Sequence, residues 1–169
     1  MLRRPKNQKA FPTLKSSEAK ISNSYPGRLK MCSNMGDRST KDITQLCPGQ
    51  TITVCGTISP CADRFRIDLL SCSGDIVFHF NPRFNPCQSP CIVCNTETCG
   101  CWGCEEVTSC VPFQPGCYVV ITIKVEQTRY EVSACGQHIL NYCHRLPPCT
   151  VRRVSVSGDF AVCGIQICG

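Results

Sequence analysis

From Thr51 to its last residue the chain holds no 12-residue stretch with a convincing helical period. Instead, short runs rich in β-branched and aromatic residues succeed one another: TITVCGTI, DRFRIDLL, DIVFHFNPRF, CIVCNT, YVVITIKVE, RYEVSAC, HILNYCHRL, VRRVSVS and FAVCGIQI. Turn formers punctuate them: PGQ, SGD, NP, QPG, CGQ, PP and a second SGD. Many strands at roughly ten-residue spacing, without helices, predict an all-β sandwich or barrel. Ahead of them, SYPGRL at Ser24 to Leu29 reads as a short edge strand, and the polar stretch MCSNMGDRSTKDITQLCPG as a loop.

A chain of 169 residues suits one domain able to bury a core without metal or disulfide staples. No run of 18 apolar residues is present, and the basic N-terminus MLRRPKNQKAFPTLKSS lacks the apolar segment of a secretory signal. The expected address is therefore cytoplasmic, with no membrane insertion. Residues 1–41 carry ten Lys or Arg against Glu18 and Asp37, whereas residues 42–169 carry eight against ten Asp or Glu. The basicity belongs to the front of the chain, where residues 1–23 read as a flexible, solvated tail and residues 24–169 as the folded domain. With one aromatic in its first 24 residues and no nucleic-acid motif, the tail gives no specific nucleic-acid partner.

Eighteen cysteines would ordinarily mark a secreted disulfide scaffold. The length, the regular patterning and the missing signal argue for reduced thiols instead. Cys91, Cys94, Cys101 and Cys104 form C-x2-C-x6-C-x2-C, the outline of a zinc knuckle. CIVCN reads as a strand, however, and residues three apart on a strand face opposite sides, so the first half fails on geometry. CGCWGC from Cys99 to Cys104 could gather its thiols in a hairpin, but reduced thiols without a metal are the expectation.

The stretch FHFNPRF, Phe78 to Phe84, alternates apolar and polar residues, which puts His79, Asn81 and Arg83 on one face of a strand and the phenylalanines on the other. In DRFRIDLL the same alternation sends Phe65, Ile67 and Leu69 inward and Arg64, Arg66 and Asp68 outward. Arg66, Asp68, His79, Asn81, Arg83 and Asn95 then build a face dense in donors and acceptors but mixed in charge. It suits a neutral, hydroxyl-rich ligand better than a phosphate. The single tryptophan, Trp102, follows in WGCEE, and an indole plane beside polar side chains is the chemistry for holding a pyranose. His144 and Arg145 read as the end of a strand and not as a site, and Cys94 and Cys135 as thiols within strand-like segments.

H-F-N-P-R at His79 to Arg83, V-x-N at Val93 to Asn95 and W-G-x-E at Trp102 to Glu105 resemble, in order and spacing, the sugar-binding signature of the galectins. The resemblance runs from about Tyr25 to Ile167 and includes ADRFRIDL, GCYVVITI, YEVSACGQHILNYCHRL and VSVSGDFAVCGIQI. It implies a jelly-roll β-sandwich of two antiparallel sheets, with β-galactosides of the lactose or N-acetyllactosamine type held on a concave face. By matching positions, it implies that His79, Asn81 and Arg83 bond the axial 4-hydroxyl of galactose, that Asn95 and Glu105 take the 6-hydroxyl, that Glu105 also holds Arg83, and that Trp102 stacks on the sugar's apolar face. It further implies a lectin without enzymatic activity or cofactor, glycoprotein or glycolipid partners, a homodimer, and export without a signal peptide.

Many galectins read W-G-x-E-x-R, the last arginine contacting the second sugar and pairing with acidic neighbours; here that position is Val107, and NPCQSPC after the signature holds no carboxylate. One charge-assisted contact is worth roughly 1.5–3 kcal/mol, so a weaker grip on the second sugar is expected. An extended subsite at Arg66 and Asp68, favouring longer or anionic glycans, is the expected compensation. Val107 and the excess cysteines also keep open a galectin-fold interaction or structural module with little use of sugar. No motif supports a Cys–His nucleophile.

Overall fold

The computed structural model describes residues 38–85 and 88–169, all of them strand, turn or loop apart from a single 3-10 turn at Pro148–Thr150. The expected tail over residues 1–23 and the edge strand at Ser24 to Leu29 lie outside the described residues. Twelve strands follow in order: β1 Ser39–Asp42, β2 Thr51–Ile58, β3 Phe65–Ser71, β4 Ile76–Arg83, β5 Cys91–Thr98, β6 Cys101–Trp102, β7 Glu106–Thr108, β8 Tyr118–Val125, β9 Arg129–Ala134, β10 Gln137–Cys143, β11 Val151–Gly158 and β12 Phe160–Cys168.

They form two antiparallel sheets. One has seven strands in the order β1, β11, β3, β4, β5, β6, with β7 also paired to β5; the other has five in the order β10, β9, β8, β2, β12. Because alternate residues point to opposite faces, each strand contributes every second apolar side chain to the space between the sheets. Ile52, Val54 and Ile58 of β2 and Val119, Ile121, Ile123 and Val125 of β8 meet Ile67, Leu69, Phe78, Phe80, Val154 and Val156 from the opposite sheet. Aromatic pairs lock the two layers, with Phe78 stacked on Tyr130 at 4.9 Å between centroids and Phe65 on Phe160 at 4.7 Å.

β1 was not legible in the sequence. It lies within the segment read as a loop, has no apolar face, and is a strand only because it completes an edge beside β11, pairing Ser39 with Val156 through Asp42 with Arg153. The hairpin between β5 and β6 turns on Cys99 and Gly100, both at positive φ (52° and 78°), the backbone of a tight two-residue turn. Asp75 anchors it by accepting the Cys99 N–H at 2.8 Å. The Ser73 hydroxyl and this N–H hold the Asp75 carboxyl below its ordinary pKa.

Candidate functional site

The signature lies on β4, in the middle of the seven-stranded sheet. Phe78 and Phe80 enter the core, and His79, Asn81 and Arg83 turn to the other face. That face is not a solvated strand face, since His79 is 7% exposed and Asn81 4%. Buried polar groups need partners, and here the partners sit on neighbouring strands in register.

Asp68 of β3, His79 of β4 and Asn95 of β5 form one row across the sheet. His79 Nδ1 and Asp68 Oδ1 lie 2.6 Å apart. A carboxylate only accepts, so Nδ1 carries the hydrogen, and in the tautomer this selects Nε2 is the acceptor. Arg66 Nε stands 3.3 Å from the other Asp68 oxygen and donates to Ser157 Oγ at 2.9 Å. Asp68, expected with Arg66 in an extended subsite, is 2% exposed beside His79 on the neighbouring strand, where it orients the imidazole, and is not among the residues lining the cavity.

A second chain of contacts fixes Arg83. Its Nε donates to Asn81 Oδ1 at 2.9 Å and its Nη2 faces Glu105 Oε1 at 3.5 Å, while Asn81 Nδ2 donates to the Phe65 carbonyl. Both ends of the Asn81 amide are thereby engaged, and its flip state is set by the backbone.

A third chain centres on Arg145, which the sequence reading had assigned only to the end of a strand. Arg145 follows β10 of the five-stranded sheet and reaches across to the other sheet, donating from Nη1 to Asn95 Oδ1 at 3.0 Å and from Nη2 to Glu106 Oε1 at 2.7 Å. Its guanidinium also lies over the Tyr142 ring, 4.9 Å from the centroid. Burial is the largest single influence and works against its charge, but the Glu106 hydrogen bond and the neighbouring Tyr142, Glu106 and Cys104 together outweigh it and raise its pKa. Asn95 Oδ1 also accepts the Thr96 N–H, and Asn95 Nδ2 donates to the Gly103 carbonyl. The second N–H of Asn95 has no partner among the described residues. Gly103 lets these groups approach closely: a Cβ there would stand 2.9 Å from Arg145 Nη1 and 3.2 Å from Asn95 Oδ1, so a side chain would push the Arg145 guanidinium aside. Nothing in the local pattern around Arg145 announces a contact between strands of different sheets, which is why it was missed.

Trp102, 48% exposed, meets His79 edge-on at 4.9 Å between ring centroids. Together His79, Asn81, Arg83, Asn95, Trp102 and Glu105 line one open cavity of about 710 Å³. Arg66 lines it too, as do Arg64 and Ser157, which the sequence reading had not assigned to the site. Each of its cations has a carboxylate within ion-pair distance: Arg64 has Asp63, Arg66 has Asp68 and Arg83 has Glu105. Val107, on β7, pairs with Val93 of β5 and is 61% exposed, outside this cavity. Of the four knuckle cysteines, Cys94 is buried in the core whereas Cys101 and Cys104 are exposed. Burial, with the charge of Glu106 adding to it, pushes the Cys94 thiol well above its ordinary pKa.

Residues 39–167 match the family model described as galactoside-binding lectin. The chain belongs to the galectin family. This is a family of carbohydrate-binding lectins, not of enzymes. The domain is 39% identical over 119 residues to galectin-8 of Rattus norvegicus, covering 68% of this chain and 37% of that relative. It is 37% identical over 113 residues to galectin-3 of Canis lupus familiaris, covering 66% and 38%. A 32 kDa beta-galactoside-binding lectin of Caenorhabditis elegans is 34% identical over 119 residues, 70% of this chain and 42% of that relative. The chain thus spans about two fifths of the length of these relatives. Among solved structures, CG-16, a homodimeric agglutinin from chicken liver, superposes with a TM-score of 0.71 at 28% identity, covering 78% of this chain and all of that one. The galectin fold thus holds the expected jelly-roll sandwich of two antiparallel sheets. Among the described residues no helix is long and apolar enough to cross a membrane.

Proposed function

We propose that this galectin domain binds β-galactosides of the lactose or N-acetyllactosamine type on the concave, polar face of its seven-stranded sheet. The observation that carries the reading is the His79 ring, fixed by Asp68 at 2.6 Å and edged by Trp102 at 4.9 Å, over the cavity that Arg83 also lines. An axial 4-hydroxyl donates to His79 Nε2 and accepts from the Arg83 guanidinium. Asn95 donates its remaining N–H, and Glu105 accepts, at the 6-hydroxyl. The C–H face of galactose lies on Trp102. An equatorial 4-hydroxyl would leave the buried His79 without its ligand bond and forfeit the Arg83 contact, so the site discriminates by the cost of unmade hydrogen bonds. Full pairing of the cavity's cations with carboxylates favours a neutral polyol.

The test is the emission of the single tryptophan during titration with lactose, with cellobiose as the control differing at the non-reducing 4-hydroxyl. A saturable change with lactose alone is expected, and it should be lost in Arg83→Ala. No response to lactose in a folded protein would transfer the lead to a galectin-fold interaction module, the reading favoured by Val107 and by the saturated Asn95 oxygen. Because CG-16 is described as homodimeric, a second copy is the proposed protein partner, and two sites per dimer would add avidity on glycoproteins. The proposed address is the cytoplasm together with the cell exterior, reached by signal-independent export; cell fractionation and assay of the medium test it.

A further inference from the structure

The polar face of the seven-stranded sheet carries a second cavity, of about 370 Å³, where β1 and β11 run beside the end of β3. Arg38, Arg152 and Arg153 line it, with Asp42, Leu70 and Ser71 among their neighbours. Residues 38–169 hold ten Lys or Arg and ten Asp or Glu, so gathering three guanidiniums around one carboxylate is a local concentration in a neutral domain. The galactoside cavity differs, since each of its arginines is paired with a carboxylate. Here only Arg153 has one, Asp42. Among the described residues Arg38 and Arg152 have none.

Each guanidinium is oriented through one edge. Arg38 Nε donates to Ser155 Oγ at 2.8 Å, Arg153 Nε to Asp42 Oδ1, and Arg152 Nη1 to the carbonyls of Cys149 and Val151 at 2.6 and 2.9 Å. The remaining N–H groups have no partner among the described residues. We propose that this cavity is an oxyanion site that takes a sulfate or phosphate group. The planar guanidinium fork matches two oxygens of such a group at once. The net charge of the lining supplies the attraction, and the fixed edges reduce the ordering cost of binding.

The site stands apart from the galactoside cavity but on the same face. Ser155, which holds Arg38, lies opposite Asp68, and Asp68 lies opposite His79. Two strand spacings, about 10 Å, separate β11 from β4. The oxyanion therefore has two sources to separate: a charged substituent on a glycan lying across the sheet, or a free inorganic ion.

Sodium sulfate is titrated against sodium chloride at matched, low ionic strength, following the arginine Nε–Hε resonances by NMR. Saturable shifts are expected at Arg38, Arg152 and Arg153, but not at Arg64, Arg66 or Arg83. In Arg152→Ala and in Arg153→Ala, sulfate should bind at least about tenfold more weakly, the loss of one charge-assisted contact, with lactose affinity unchanged. A second arm compares sulfated with unsulfated lactose. A sulfate advantage that vanishes in Arg152→Ala assigns the oxyanion to the glycan; no advantage, with inorganic sulfate still bound, assigns it to the free ion. Absence of saturable shifts at the three arginines, or equal sulfate binding in both variants and the parent, overturns the proposal. Failure of lactose to bind would leave the sulfate arm intact, so the two readings fail separately.

Discussion

Removing the carboxylate beneath His79 should weaken galactoside binding far more than its distance from the ligand suggests. Asp68 and His79 are 2% and 7% exposed and their bonded atoms lie 2.6 Å apart, so water cannot substitute for either partner. In Asp68→Asn an oxygen still accepts from Nδ1, but a hydrogen bond to a charge, roughly 1.5–3 kcal/mol, becomes a neutral one of about 0.5–1.5. The difference of about 1 kcal/mol corresponds to about fivefold in affinity. In Asp68→Ala the ring loses the partner that fixes its tautomer and angle, and the full roughly 1.5–3 kcal/mol translates to about 10- to 150-fold. Arg66 contributes little to this difference, because its side chain is 48% exposed and its ion pair is screened. Titration of the tryptophan emission with lactose measures both variants, and thermal melts establish that they remain folded. An Asp68→Ala protein that binds lactose within about twofold of the parent would refute the assignment of His79 Nε2 as the acceptor held by Asp68.

Arg145→Leu should weaken lactose about 3- to 10-fold by freeing Asn95, yet leave a 6-deoxygalactoside unaffected; equal losses for both sugars would detach Arg145 from the 6-hydroxyl. Val107→Arg should tighten lactose more than galactose, and an equal gain would place its effect outside the second sugar. Cys94, buried and with its thiol pKa raised by desolvation, should be the last of the 16 described cysteines to react with iodoacetamide at mildly alkaline pH, followed by peptide mass spectrometry. Labelling of Cys94 as fast as of exposed Cys101 would contradict its placement in the core. Asp75, its pKa lowered by Ser73 and the Cys99 N–H, stabilises the Cys99–Gly100 turn fully above the ordinary carboxylate value of 3.8 and less as pH falls through its lower folded value. The Cys99 amide resonance should therefore titrate with a midpoint below 3.8, and a midpoint at or above it would remove the anchor.

The long strands were legible because one face of each is buried and the alternation shows it: TITVCGTI is β2 from Thr51 to Ile58, and YVVITIKV is β8. The short edge strands β1, β6 and β7 were not, since a strand without a buried face carries no period to read and exists through its neighbour's hydrogen bonds. The same limit applies within the site. His79, Asn81 and Arg83 announce themselves by alternation on one strand, whereas the burial of Asp68 depends on register with β4, and the role of Arg145 on the packing of one sheet against the other. Alternation told which way Asp68 points but not what lies on top of it.

The three contact chains beneath the cavity share one construction. Each starts from a group that meets the ligand in the proposed reading and ends on something that cannot rotate: His79 on the doubly engaged Asp68, Arg83 through Asn81 on the Phe65 carbonyl, and Asn95 on the Gly103 carbonyl with Arg145 behind it. Donors and acceptors held in this way give up little side-chain entropy when a hydroxyl arrives. They also make a wrong hydroxyl costly, because no rotation relieves an unmatched pair. A sheet face made from long, unsupported side chains could bind a sugar by adjusting to it. In the proposed reading this face selects one, and the most buried groups, His79 and Asn95, carry the discrimination, with the exposed Trp102 supplying area more than selectivity.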